Sequence, residues 1–305
     1  MRDRLAAALA FLILASASNA QTLQPSTPRP DFSTVEIKTT QLGNRMFMLE
    51  GEGGNVVVAL TDEGVIMIDN QFEELHDKLK AAIAKLTPQP IRYVVLTHFH
   101  RDHSGGNEAF AKDGAVIVAH ETIKTRLAAG TINGLTGNKV PPAPPQALPK
   151  QTFKDTMTLR LGGRTAELRH LADVHTDGDT TIYFPDAKVF VTGDIVFFGR
   201  YPNIDFANRG SIDGMIRGVD QVLAFVTDDM KIVPGHGPVG TKAQIREYRQ
   251  MLVDARERIA KAISTGMTED QVVAAKPNAD YDAKLRLNAQ QAGNFVRVVY
   301  RSLKK

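Results

Sequence analysis

The sequence predicts a mixed α/β fold, with most strands early, helices interspersed among them and a helical C-terminal part. Three observations carry this reading. Short apolar runs separated by Gly and Asp turns fill residues 46–69. Apolar side chains at helical spacing make one stripe from Glu73 to Leu86. From Thr241 onward the apolar period is helical. The apolar share of 43% is that of an ordinary globular protein, so a sizeable core is expected.

At the N-terminus, Met1-Arg2-Asp3-Arg4, an apolar run from Leu5 to Ala15 and the small residues Ser18-Asn19-Ala20 make the three parts of a secretory signal peptide. Residues 1–20 are therefore expected to be removed and the protein exported, to the periplasm or the medium. The apolar run is shorter than the roughly 20 residues that cross a bilayer, and no second run follows, so no membrane span is expected. Residues 21–33, rich in Pro, Ser and Thr, read as a flexible lead-in, and residues 34–305 as the folded domain. Cysteine is absent, so there is no disulfide and no thiolate nucleophile or ligand. The 37 Lys and Arg against 34 Asp and Glu leave a formal charge of +3 with no basic run except Lys304-Lys305, which does not call for nucleic acid.

Strands are expected at Val35–Ile37, Met46–Leu49, Asn55–Leu60 and Gly64–Asp69. In the helix from Glu73 to Leu86, His76 falls off the apolar stripe and reads as solvated. Tyr93–Leu96 is a buried strand and Ala115–Ala119 another, ending in His120, which either orients a metal ligand or is simply hydrogen-bonded. Lys139–Pro145 is too rich in proline for helix or central strand and is expected as an extended loop. A hairpin around Gly162-Gly163 contains His170, read as structural, and leads to His175; Asp177 and Asp179 read as turn-capping residues. Strands Thr181–Phe184, Val189–Asp194 and Lys231–His236 follow, then helices at Thr241–Ile263, after the capping box Thr268–Gln271, and at Asn288–Leu303. These helices are expected to cover a sheet.

The chemistry concentrates at Thr97-His98-Phe99-His100-Arg101-Asp102-His103-Ser104-Gly105-Gly106-Asn107, between a buried strand and a helix start. In an extended segment residues i and i+2 share a face, so His98 and His100 aim at one point. Asp102 and His103 lie past the bend and aim at a second. Imidazole and carboxylate suit zinc, and also iron or manganese, so two metal ions can share this turn. Further on, Asp194 ends an apolar strand, where an unpaired carboxylate is costly and a metal is a natural partner.

His98-x-His100-x-Asp102-His103 resembles the signature of the metallo-β-lactamase superfamily. That family expects a further His, an Asp or Cys, and a last His, each after a later strand, and His175, Asp194 and His236 stand in that order. The resemblance runs from about Val35 to Gly240. It implies a four-layer αββα sandwich with metals at one sheet edge, a first metal on His98, His100 and His175, a second on Asp102, His103 and His236, and Asp194 bridging.

What the resemblance implies for activity is a hydrolase with two Zn2+ per chain, in which a metal-activated hydroxide attacks the carbonyl of a small-molecule β-lactam, lactone, ester or thioester, with Asp102 orienting the nucleophile. Phe197 stands where one lactamase subclass has a carboxylate-binding Lys, and Arg200 is near enough in sequence to replace it. Export and the lack of a C-terminal basic cluster argue against a glutathione thioester. Two alternatives accompany this reading: a mononuclear iron enzyme similar to persulfide dioxygenases, and a metal-binding accessory protein without catalysis. Flavodiiron proteins place Glu where His100 stands, which disfavours them.

Overall fold

Strands that are apolar on both faces need cover on both, and this chain provides it in four layers. The computed structural model describes residues 31–304; the expected signal peptide and all but the last residues of the lead-in lie outside the described residues. The chain runs through β1 (Lys38–Gly43), β2 (Met46–Glu50), β3 (Val56–Leu60), β4 (Val65–Ile68), α1 (His76–Ala84), β5 (Ile91–Val95), α2 (Arg101–Ser104), α3 (Asn107–Lys112), β6 (Val116–His120) and α4 (Glu121–Ala129). A short hairpin of β7 (Thr131–Ile132) and β8 (Lys139–Val140) precedes β9 (Gln151–Phe153), and the first sheet has the order β1-β2-β3-β4-β5-β6-β9. The second sheet is β10 (Thr156–Leu161), β11 (Arg164–His170), β12 (Thr180–Phe184), β13 (Val189–Phe197) and β14 (Lys231–His236), in that order, with α5 (Ile212–Phe225) between the last two. The chain continues through α6 (Lys242–Ser264), α7 (Glu269–Ala275), α8 (Ala279–Lys284) and α9 (Ala289–Leu303).

Strand alternation sorts the core into three seams. Val57, Ala59, Ile66 and Ile68 point inward to meet Leu168, Ile182, Phe184 and Val191 of the second sheet. Their neighbours Val56, Val58, Val65 and Met67 point outward onto Leu75, Leu79 and Ile83 of the first helical layer. On the far side, Val219 and Val222 of α5, Leu252 and Ile259 of α6 and Val299 of α9 pack with Ile195 and Ile232. Two sheets with helices outside both is the αββα sandwich. Phe184 is fully buried between the sheets. Phe184→Ala is expected to cost about 3–5 kcal/mol through lost burial and an unfilled cavity, read as a lower denaturant midpoint of unfolding.

Several local expectations are corrected. Val35–Ile37 is not a strand: a 3-10 turn at Phe32–Thr34 precedes it, and the Lys78 ammonium donates to the carbonyls of Phe32, Ser33 and Val35, holding this segment against α1. His76 is not solvated; its side chain is 14% exposed and its ring nitrogens meet Asp77 and Asp113. Within the expected proline loop, Lys139 and Val140 pair with Ile132 and Thr131 as a hairpin. β13 does not end at Asp194 but continues to Phe197, its register with β14 broken around Gly193. Helix α5 has no counterpart among the sequence expectations, although Ile212, Met215, Val219 and Val222 recur at helical spacing along it. Its buried face also carries Gly214 and Gly218. Both lie against the turn before His175: a β-carbon at Gly214 would stand 1.9 Å from the Asp173 carbonyl. Among the described residues no helix is long and apolar enough to cross a membrane.

Candidate metal centre

The seven residues singled out from the sequence converge at the edge where both sheets end. His98 and His100 leave the C-terminal end of β5, and Asp102 and His103 occupy the first turn of α2. His175 is presented by a turn whose Asp179 carboxylate accepts from the backbone N–H of His175 (2.6 Å) and Thr176 (2.8 Å) and from the Thr176 hydroxyl (2.6 Å). Asp179 is thus the expected turn cap, whereas Asp177 instead pairs with Arg126 of α4, Nε to Oδ2 at 3.1 Å. His236 is carried to the opposite sheet by Asn55, whose N–H donates to the Gly235 carbonyl (2.7 Å) and whose amide donates to Pro234 (3.0 Å) and Gly237 (2.8 Å).

Two groups of ligand atoms result: His98, His100, His175 and Asp194 in one, Asp102, His103 and His236 in the other, with the atoms of each within 4.8 Å of one another. Asp194 stands between them with its oxygens divided. Oδ2 lies 3.8 Å from His98 Nε2 and 3.5 Å from His175 Nε2; Oδ1 lies 3.2 Å from His103 Nε2 and 3.6 Å from His236 Nε2. Asp102 Oδ2 is 3.1 Å from His236 Nε2 and 3.6 Å from His103 Nε2.

Hydrogen bonds on the far side of each ring decide which nitrogen faces the centre. His175 Nδ1 donates to the Asn203 carbonyl (2.7 Å) and His100 Nε2 to the Asp205 carboxylate (2.9 Å). Their other nitrogens, lone pairs exposed, face each other at 3.0 Å. Thr97 gives its hydroxyl proton to Asp69 (2.7 Å), so the same oxygen accepts from His98 Nδ1 (3.0 Å) and leaves His98 Nε2 bare. Asp69 Oδ2 also takes His103 Nδ1 at 2.8 Å. Lone pairs that close repel unless a cation lies among them, and the buried His98 Nε2 and Asp194 Oδ1 have no hydrogen-bond partner. The donor set therefore fits a pair of divalent cations.

Protonation agrees. Burial, then the charge on His103, pushes His98 well below the ordinary histidine value, and burial takes His175 down to about 4, so both are neutral and ready to ligate. Burial opposes charge on His103, yet the carboxylates of Asp194, Asp102 and Asp69 lift it well above its usual value. Metal uptake at the second group must therefore displace a proton. Against burial, His103, His236 and His98 hold Asp194 well below the carboxylate range.

The remaining candidates sort out plainly. His120 takes no part: its ring stacks on His170 at 3.6 Å and its Nδ1 caps α4. Arg200 is exposed at the mouth, its guanidinium 5.9 Å from the Phe197 ring, which stacks on His236 at 5.5 Å and 4°. Sequence reasoning missed Asp69, Asn203 and Asp205. Asp69 carried a usable signal, since it ends an apolar strand just as Asp194 was taken to; Asn203 and Asp205 lie in a loop with none.

A mixed sandwich with a divided carboxylate among five imidazoles defines the class, and the comparisons agree. The family model of the metallo-beta-lactamase superfamily matches residues 49–259. The chain belongs to that superfamily. It is 25% identical to linear primary-alkylsulfatase of Pseudomonas sp. (strain ATCC 19151), over 69% of this chain and 47% of that protein, so it spans about half the length of that relative. It is 24% identical to metallo-beta-lactamase type 2 of Bacillus sp. (strain 170), over 70% of this chain and 77% of that one. The metallo-beta-lactamase from Pontibacter korlensis shares the fold with a TM-score of 0.60 at 22% identity, over 72% of this chain and all of that one.

Proposed function

We propose that the protein is an exported dinuclear zinc hydrolase that attacks a carbonyl in a small-molecule β-lactam, lactone, ester or thioester. The observation that supports it above all is the division of the Asp194 oxygens between two otherwise complete ligand groups. When bound, a pair of zinc ions supplies Lewis acidity and lowers the pKa of water toward neutrality.

The chain's own residues supply the rest. The side chains of His98, His103 and His175 are at most 1% exposed and form the floor, while Asp102 (27%), His100 (21%) and His236 (14%) face the open side. Substrate and water approach there. Asp102 is held as a carboxylate below its ordinary range by His103 and His236 despite burial, so it stays a hydrogen-bond acceptor that orients the attacking water. Phe197 packs against the His175 and His236 rings and shuts water out behind them. Arg200 at the mouth offers a positive charge to an anionic substituent on the substrate. Export rests on the first 20 residues, and the likeness to an alkylsulfatase adds sulfate esters to the substrates worth testing.

The test is metal analysis of the purified protein with a panel of nitrocefin, penicillins, lactones, p-nitrophenyl esters, thioesters and an alkyl sulfate, with and without chelator. Two zincs per chain and turnover that chelation abolishes and zinc restores are expected. One iron per chain with oxidase activity, or turnover indifferent to chelation, rejects the proposal; metal without any turnover leaves an accessory protein.

A further inference from the structure

The two ligand groups are not supported alike. Asp69 reaches both, His103 directly and His98 through the Thr97 hydroxyl. The segment 203–208 reaches only the first: the Asn203 carbonyl takes His175 Nδ1, the Asp205 N–H donates to the His175 carbonyl (3.0 Å), and the Asp205 carboxylate takes His100 Nε2. Asp205 is 8% exposed, and besides His100 its carboxylate accepts from Asn208 twice, from the backbone N–H at 3.2 Å on Oδ1 and from the side-chain amide at 2.7 Å on Oδ2. That amide has two hydrogens, and the other goes to the Ile132 carbonyl in β7 at 3.2 Å. A chain of hydrogen bonds thus runs from the β7–β8 hairpin through Asn208 and Asp205 to His100. The hairpin carries Ile132 (49% exposed) and Val140 (36%), two of the three large apolar side chains that are exposed among the described residues.

We infer that Asp205, seated by Asn208, is a positioning residue that sets metal affinity at the His98, His100 and His175 group alone and ties that affinity to the hairpin. The inference rests on the dinuclear reading above. A carboxylate on the outer nitrogen of a ligating imidazole fixes the tautomer and raises the basicity of the inner nitrogen, and removing such a partner typically weakens metal binding about 10- to 100-fold. Asp205→Asn is nearly isosteric, but one acceptor becomes an NH2 facing donors of Asn208 or His100. Asn208→Ala frees the carboxylate from the hairpin and leaves His100 its charged partner, so its effect is smaller.

Zinc affinities and stoichiometry, measured by chelator competition, with the absorption spectrum of the cobalt(II) form, test this. Wild type should take two ions. Asp205→Asn should lose about 10- to 100-fold at one position and keep the other, Asn208→Ala should shift the same position less, and Asp205→Glu should recover part of the loss. Asp69→Asn, in contrast, should weaken both. The melting temperature of the metal-free variants is read alongside: a merely structural role would weaken both zinc positions in step with any fall in stability, whereas a positioning role changes one position and its cobalt(II) spectrum. Wild type binding two ions while Asp205→Asn binds both as tightly, or loses both equally, overturns the inference and leaves the dinuclear reading standing. Wild type taking only one ion overturns both.

Discussion

Asp194→Ala is expected to abolish turnover and to lower bound metal from two ions to one or none, while the chain still folds. The carboxylate is 5% exposed, its Oδ1 has no hydrogen-bond partner, and its oxygens are the only ones that stand between the two ligand groups among the described residues. Removing it takes away the carboxylate oxygen that stands beside each group at once. It also removes the charge that does most to keep His103 protonated in the metal-free protein. Loss of shared coordination puts the expected drop at ~10³-fold or more, or about 4 kcal/mol of barrier at roughly 1.4 kcal/mol per tenfold. Asp194→Asn separates charge from volume: it keeps the shape, supplies one neutral acceptor and should retain one ion at most. Undiminished activity in Asp194→Ala would mean that the reaction, whatever its substrate, does not pass through this centre.

How much of this was legible beforehand depends on where the interaction energy comes from. His98, His100, Asp102 and His103 are legible because strand and helix periodicity place them within six residues of one bend. His175 and His236 follow from the resemblance, which calls for a histidine after each of two later strands, and each stands at a Gly- or Asp-rich turn beside a strand. Strands such as Val56–Leu60, apolar on both faces, show that a sheet needs cover on both sides, while the four-layer arrangement itself comes from the resemblance. Asp205 is different. It acts through a fold-dependent meeting with His100, 105 residues away, and nothing in Ile204-Asp205-Phe206 advertises it. Helix α5 is another case: Ile212, Met215, Val219 and Val222 stand at helical spacing, but nothing in the sequence shows that the Asp173–Val174 turn packs against Gly214 and Gly218. His76 fails because the apolar stripe ranks faces by hydrophobicity, and a histidine with acidic partners on both nitrogens is half-buried without belonging to the stripe.

The centre depends equally on what is missing from the backbone beneath it. A β-carbon built on Gly235 would lie 1.9 Å from Asp194 Oδ1 and 2.7 Å from the Gly193 carbonyl carbon, and one on Gly54 would lie 2.1 Å from His103 Cε1. Neither residue has a left-handed backbone, so alanine is not excluded by conformation. Space is the issue. In Gly235→Ala the added methyl must push Asp194, or β14 must withdraw and take His236 with it; either way the four distances from Asp194 to the imidazoles change. Overpacking of this kind costs on the order of 1–3 kcal/mol of stability, which the buried seams of both sheets should tolerate. Catalysis is less forgiving, since a misplacement of about 1 Å is worth ~100-fold in rate. Gly235→Ala is therefore expected to remain folded, to bind the second ion weakly and to lose activity by about two orders of magnitude. Circular dichroism, zinc titration and the same substrate panel check the three parts separately. Gly54→Ala should resemble it with the defect centred on His103, and normal zinc stoichiometry in both variants would show that the ligand cage is looser than these distances require.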